Sequence, residues 1–205
     1  MDNLKYVYES VCRKLLREIE LGKVEFSPYR VDGAPTDEQN TREEVKLHTM
    51  LTTWFGSAKE WPELAAQLTA AADDPRYRDF FRWMPPGVVL YRGLDMDGPA
   101  LARMLGVDLE DLGSLKGRWN EPFTVRRRGR GEVTSWTTNQ NEAEKFAELG
   151  GASRRVVVKT VTGPESGRFI DGAALTRAVS DWRPWRDEDE VLALGPVRAT
   201  GAEWW

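Results

Sequence analysis

Pro85-Pro86-Gly87 divides this chain into two textures, and no other stretch limits the fold as much. Before it, apolar residues recur at helical spacing. Leu4, Val7, Tyr8, Val11, Cys12, Leu15 and Ile19 form one stripe, with Gly22 where a helix C-cap belongs. Thr41 and Glu44 make a capping box ahead of Leu47, Leu51, Trp54 and Phe55, and Ser57 with Glu60 opens an Ala-rich helix through Leu64 and Leu68 whose first turn tolerates Pro62. Pro75 to Met84 is expected to form a further short helix. After the prolines the pattern turns to short β-type runs: Val88 to Tyr91, Phe123 to Val125, Glu132 to Thr137, Arg155 to Val161, Phe169-Ile170, Glu188 to Leu194, and Val197 to the end. Short helices are expected at Leu101 to Leu105 and Glu142 to Leu149, with loop from Gly113 to Pro122. Helices first and strands afterwards predict an α+β fold rather than a βαβ repeat. The 205 residues fit a single domain, 1–205, with a helical N-terminal part over 1–86 and a β-rich core over 87–205.

Composition narrows the chemistry. A single cysteine, Cys12, rules out an internal disulfide, and one histidine, His48, removes the usual Cys/His zinc sites, so no metal is expected. Both lie on or beside apolar helix stripes and read as packed residues. Carboxylates, hydroxyls and arginines are left to do the work. A net charge of −4 disfavours a general nucleic-acid binder, although the run Arg126, Arg127, Arg128, Arg130 survives that average. No long apolar stretch or signal-peptide pattern is seen, which predicts a cytoplasmic protein without a membrane partner and leaves delivery into another cell open.

Three features carry chemistry. Tyr91-Arg92-Gly93 puts a planar fork of donors at the end of a strand, beside a glycine whose backbone can be approached closely, an arrangement suited to a phosphate or carboxylate. Ser135-Trp136-Thr137 presents a hydroxyl pair on one strand face, followed by Asn139 and a helix with Ala143, Phe146 and Ala147. Arg186-Asp187-Glu188-Asp189-Glu190 runs into Val191-Leu192-Ala193-Leu194. Strand alternation would put Glu188, Glu190, Leu192 and Leu194 on one side, with the two carboxylates roughly 7 Å apart. Taken singly, each has a plain reading: a solvated arginine, solvated hydroxyls, and an edge strand charged against aggregation.

Taken in order, they resemble the mono-ADP-ribosyltransferases of the arginine–serine–glutamate class, over about Val88 to Leu194. Ser135-Trp136-Thr137 is similar to that family's Ser-Thr-Ser element, with threonine keeping the last hydroxyl, and Glu188-Asp189-Glu190 is similar to its Glu-x-Glu motif. The resemblance implies a split β-sandwich, two small sheets around an NAD cleft with flanking N-terminal helices, and NAD as co-substrate. It also implies roles. Arg92 would hold a phosphate or ribose of NAD, with Gly93, Trp136 and Thr137 lining the site. Ser135 would support the catalytic glutamate, Glu190 would bind the 2′-hydroxyl of the nicotinamide ribose, and Glu188 would serve the acceptor. Glutamate rather than glutamine at position 188 goes in that family with arginine as acceptor.

Trp182 and Trp185, around Pro184, stand where the family recognises its macromolecular target, and Arg154 or Arg155 follows a Gly150-Gly151 segment placed to contact phosphate. The resemblance implies transfer of ADP-ribose from NAD to a protein arginine with release of nicotinamide, with a toxin, a phage-encoded host modifier and an internal regulator all left open as the setting. NAD hydrolysis alone and transfer to RNA or DNA are the competing enzymatic readings. The non-enzymatic one is a nucleic-acid-binding module using Arg126 to Arg130 on phosphates.

Overall fold

The computed structural model describes residues 62–75, 81–126, 133–149, 151, 153–172, 174 and 189–205. The helices expected before Pro62, with Cys12 and His48, therefore lie outside the described residues, as do Arg127 to Arg130, Trp182, Trp185 and Glu188. The chain forms two compact units, one of Met1–Arg82, Arg128–Gly131 and Ala174–Pro184, the other of Trp83–Arg127, Glu132–Ala173 and Trp185–Trp205. In the first, helix α1 (Pro62–Asp73) starts at the proline that can open a helix, and buries Ala65 and Leu68. The short helix expected over Pro75 to Met84 does not reach its end. Trp83 makes a β-bridge with Ile170, and the Met84 amide donates to the Phe169 carbonyl at 2.9 Å.

The second unit is mixed α and β, with its strands in two open antiparallel sheets. In chain order its elements are β1 (Val89–Met96), α2 (Gly98–Leu105), a 3-10 turn (Asp111–Gly113), β2 (Arg118–Trp119), β3 (Phe123–Val125), β4 (Val133–Thr137), α3 (Gln140–Glu148), β5 (Arg154–Val161), β6 (Arg168–Asp171), β7 (Glu190–Leu194), β8 (Val197–Ala199) and β9 (Gly201–Trp204). The larger sheet has the order β2-β9-β5-β1-β4-β7-β6, and β3 pairs with β8 in the smaller one. Helix α2 starts where Asp97 accepts from the Ala100 amide at 2.7 Å, and it stops at Gly106, whose φ of 74° only glycine adopts readily.

The prolines that mark the texture change are fastened at one point. The Thr162 hydroxyl donates to the Pro85 carbonyl at 2.5 Å and accepts from the Val88 amide at 2.9 Å, while the Gly87 amide reaches the Thr162 carbonyl at 2.8 Å. This lays β1 beside β5 from its first residue, Val89 opposite Val161, and the ladder runs unbroken to Met96 opposite Arg154. β1 is thus longer than expected and Arg92 lies in mid-strand rather than at a strand end.

On one side of this ladder Leu90, Val156 and Val158 lose all exposure to a core shared with Leu101, Leu105, Phe123, Val197 and Trp204. Each such side chain contributes about 1.5–3 kcal/mol by leaving water. On the other side α3 lies against β1, close enough that a Cβ on Gly93 would fall 1.9 Å from the Ala143 carbonyl oxygen.

β1 and β4, by contrast, share a single residue pair, Tyr91 opposite Thr137. β4 instead pairs along its whole length with β7, and β7 with β6. The larger sheet thus consists of two ladders, β2-β9-β5-β1 and β4-β7-β6, joined through that one pair.

Candidate active site

The fork between the two ladders brings together four of the residues singled out in the sequence, Arg92, Ser135, Thr137 and Glu190. Arg92 follows Tyr91 on β1, and its Nη1 donates to the Ser135 carbonyl at 2.5 Å across 43 residues of sequence. A guanidinium carries five donors in a fixed plane, so this bond sets the plane's orientation beside β4.

On the β4–β7 ladder, Thr137 stands opposite Glu190 and Ser135 opposite Leu192. Directly opposed residues share a face with Cβ atoms about 4.5–5.5 Å apart. Tyr91, Thr137 and Glu190 therefore form a row across three neighbouring strands, with Ser135 diagonal to the glutamate. Glu190 retains only 6% of its surface, in a strand buried from end to end.

Several expectations change in detail. Thr137 rather than a second serine stands directly across from Glu190, and its Oγ1 accepts from the Asn139 amide at 3.0 Å, in the turn that feeds α3. Asn139 in turn caps α3 by accepting from the Asn141 amide. Trp136, expected to line the NAD site, belongs to the core. It is 2% exposed, packs edge-on to Phe169 and donates its indole N–H to Thr134 Oγ1 at 3.0 Å, because alternation turns it away from Ser135 and Thr137. Gly93 is explained by the close passage of α3, whose backbone fills the space a ligand would need on that side.

Where Glu188 lies relative to Glu190 falls outside the described residues, but the start of the strand is visible. β7 begins at Glu190, and Asp189 has a φ of 44°, so the extended alternation stops one residue before the glutamate. Arg154 and Arg155 begin β5, and Arg155 pairs with Glu148 at 2.9 Å across the exposed end of α3.

Sequence reasoning missed two residues around Glu190. Gly172, just past β6, lies so close that a Cβ there would come 2.7 Å from the Glu190 carbonyl oxygen and 3.6 Å from its Cγ. Asp189 supplies the left-handed turn. A glycine after a short apolar strand was the available signal for the first; the second was hidden within the acidic run.

An open cleft of about 210 Å³ is lined by Tyr91, a member of that row, and by Trp119, Gln140, Lys159, Gly201 and Glu203 among others. The Trp119 indole nitrogen is buried and finds no acceptor among the described residues. Among those residues no group of three or more His, Cys, Asp or Glu side chains could hold a metal ion, and no helix is long and apolar enough to cross a membrane. No protein-family model matches the chain, and no curated protein matches it either.

Proposed function

We propose that this chain is a mono-ADP-ribosyltransferase that moves ADP-ribose from NAD to a macromolecular acceptor, a protein arginine, releasing nicotinamide. The observation that carries this reading is the meeting of three dispersed sequence elements at one fork: Arg92 on β1 bonded to the Ser135 carbonyl, and Thr137 on β4 directly opposite Glu190 on β7. Nothing about forming a hydrophobic core requires an arginine, a hydroxyl pair and a buried carboxylate on neighbouring strands. The division of the larger sheet into two ladders supports the finer fold reading, a split β-sandwich with its cleft at the fork.

The chemistry follows from the residue types. Loss of nicotinamide leaves positive charge on the ribosyl carbon, as in glycoside hydrolysis. A carboxylate held in a largely dehydrated strand stabilises that charge more strongly than one in water, and Glu190 occupies such a position. Arg92, oriented by its bond to Ser135, serves the diphosphate or ribose. Trp136 takes no part, and Gly93 acts by letting α3 lie against β1. Glu188 is proposed to take the proton from the incoming guanidinium, which must lose one to attack near neutral pH. Trp182 and Trp185 are proposed to meet the target.

The test is to incubate the protein with NAD labelled in its adenylate and a cell lysate, then digest separately with protease and nuclease. Label released by protease and stable to neutral hydroxylamine only weakly, as an arginine linkage is, agrees with the reading. Label released by nuclease moves the acceptor to RNA or DNA, and free ADP-ribose alone reduces the activity to NAD hydrolysis.

A further inference from the structure

Resting on the reading of Glu190 as the charge that faces the ribosyl carbon, we infer that Asp189 and Gly172 are positioning residues that fix this carboxylate through backbone geometry. Three observations converge. Asp189 is one of two non-glycine residues among those described with positive φ, at 44°, and it immediately precedes Glu190. Left-handed backbone at a side-chain-bearing residue persists where surrounding structure enforces it, and Asp and Asn tolerate it better than other residues. Its side chain is exposed, so packing does not account for the residue type.

Gly172 follows the end of β6, and a Cβ on it would lie 2.7 Å from the Glu190 carbonyl oxygen and 3.6 Å from the Glu190 Cγ. Only a residue without a Cβ allows that approach. On the remaining side Thr137 faces Glu190 from β4. The glutamate is thus gripped from three directions: a turn before it, a glycine backbone against it and a threonine opposite. The acidity of Asp189 is incidental; what the position needs is left-handed backbone.

The consequence separates shape from charge. Asp189→Asn and Asp189→Gly keep the left-handed turn without the charge, whereas Asp189→Val, β-branched, opposes it. Gly172→Ala puts a methyl where the Glu190 carbonyl oxygen is 2.7 Å away, forcing a shift of several tenths of an ångström, beyond the roughly 0.5 Å tolerance of a preorganised group. A misplacement approaching 1 Å costs about 100-fold.

Nicotinamide release from NAD and crystal structures of the four variants test the inference together. Asp189→Val and Gly172→Ala are expected to lose about 10- to 100-fold in kcat with KM for NAD nearly unchanged, and to show a displaced Glu190 carboxylate. Asp189→Asn and Asp189→Gly are expected to match the parent in both. Equal losses in Asp189→Asn and Asp189→Val would overturn the inference in favour of charge, as would an unmoved carboxylate in Gly172→Ala. If the parent protein releases no nicotinamide, the proposed function falls, and the carboxylate positions in the crystal structures still decide whether Asp189 and Gly172 fix Glu190.

Discussion

Replacing Gly93 by alanine tests the packing that holds one side of the fork. The added Cβ would lie 1.9 Å from the Ala143 carbonyl oxygen and 2.7 Å from the Ala147 amide nitrogen. Carbon–oxygen contacts settle near 3.3–3.6 Å, so a gap of about 1.4 Å must open between β1 and α3. The obstacle is helix backbone, which cannot rotate aside as a side chain would. Ala143 and Ala147 are almost fully buried, so the helix cannot move without exposing that contact. Overpacking of this kind costs 1–3 kcal/mol, and backbone on both sides puts Gly93→Ala near about 3 kcal/mol. At about 2–4 °C per kcal/mol for a chain of this size, the melting temperature should fall by roughly 6–12 °C. Gly113→Ala is the control, because nothing lies within 4 Å of its Cβ position; it should stay within about 0.5 kcal/mol of the parent. Calorimetry and urea titration of the three proteins read both numbers. A Gly93→Ala protein as stable as the control would refute the account of why a glycine follows Arg92.

Two further outcomes follow from the hydrogen bonds. Thr162→Val should cost roughly 2–3 kcal/mol, since it leaves both the Pro85 carbonyl and the Val88 amide without their hydroxyl partner, and Thr162→Ser should recover most of that in the same urea titration. Trp136→Phe should lose about 1 kcal/mol with the indole bond to Thr134 while leaving KM for NAD unchanged; a raised KM would return Trp136 to the binding site.

Much of the fold could be read from the sequence because its signals are local. Val156-Val157-Val158 at the centre of β5 and the Pro85-Pro86-Gly87 break ahead of β1 each act within a few residues, and each appears where expected. What failed depended on partners distant in sequence. β1 runs on through Arg92 because β5 pairs with it to Met96, a register fixed at Thr162 and invisible from residues 88–94 alone. The C-terminal run read as one strand is two, since Thr200 turns the chain from the smaller sheet into the larger.

The site divides in the same way. Alternation put Ser135 and Thr137 on one face and, applied consistently, would have turned Trp136 into the core. It could not reveal that Asp189 breaks the extended run before Glu190, because a left-handed aspartate leaves no periodic trace. The order of the arginine, hydroxyl and glutamate elements was legible; their meeting at a fork was not, because that depends on β1 and β4 sharing one pair.

The most direct test of the central claim is the rate of nicotinamide release from NAD by the parent protein and by Glu190→Gln, each checked by its melting curve. The amide keeps the shape of the side chain opposite Thr137 and removes its charge. The account expects release by the parent and a drop of roughly 100- to 1,000-fold in a Glu190→Gln protein that melts at the parent's temperature or above. A folded Glu190→Gln protein that releases nicotinamide at the parent's rate would contradict it.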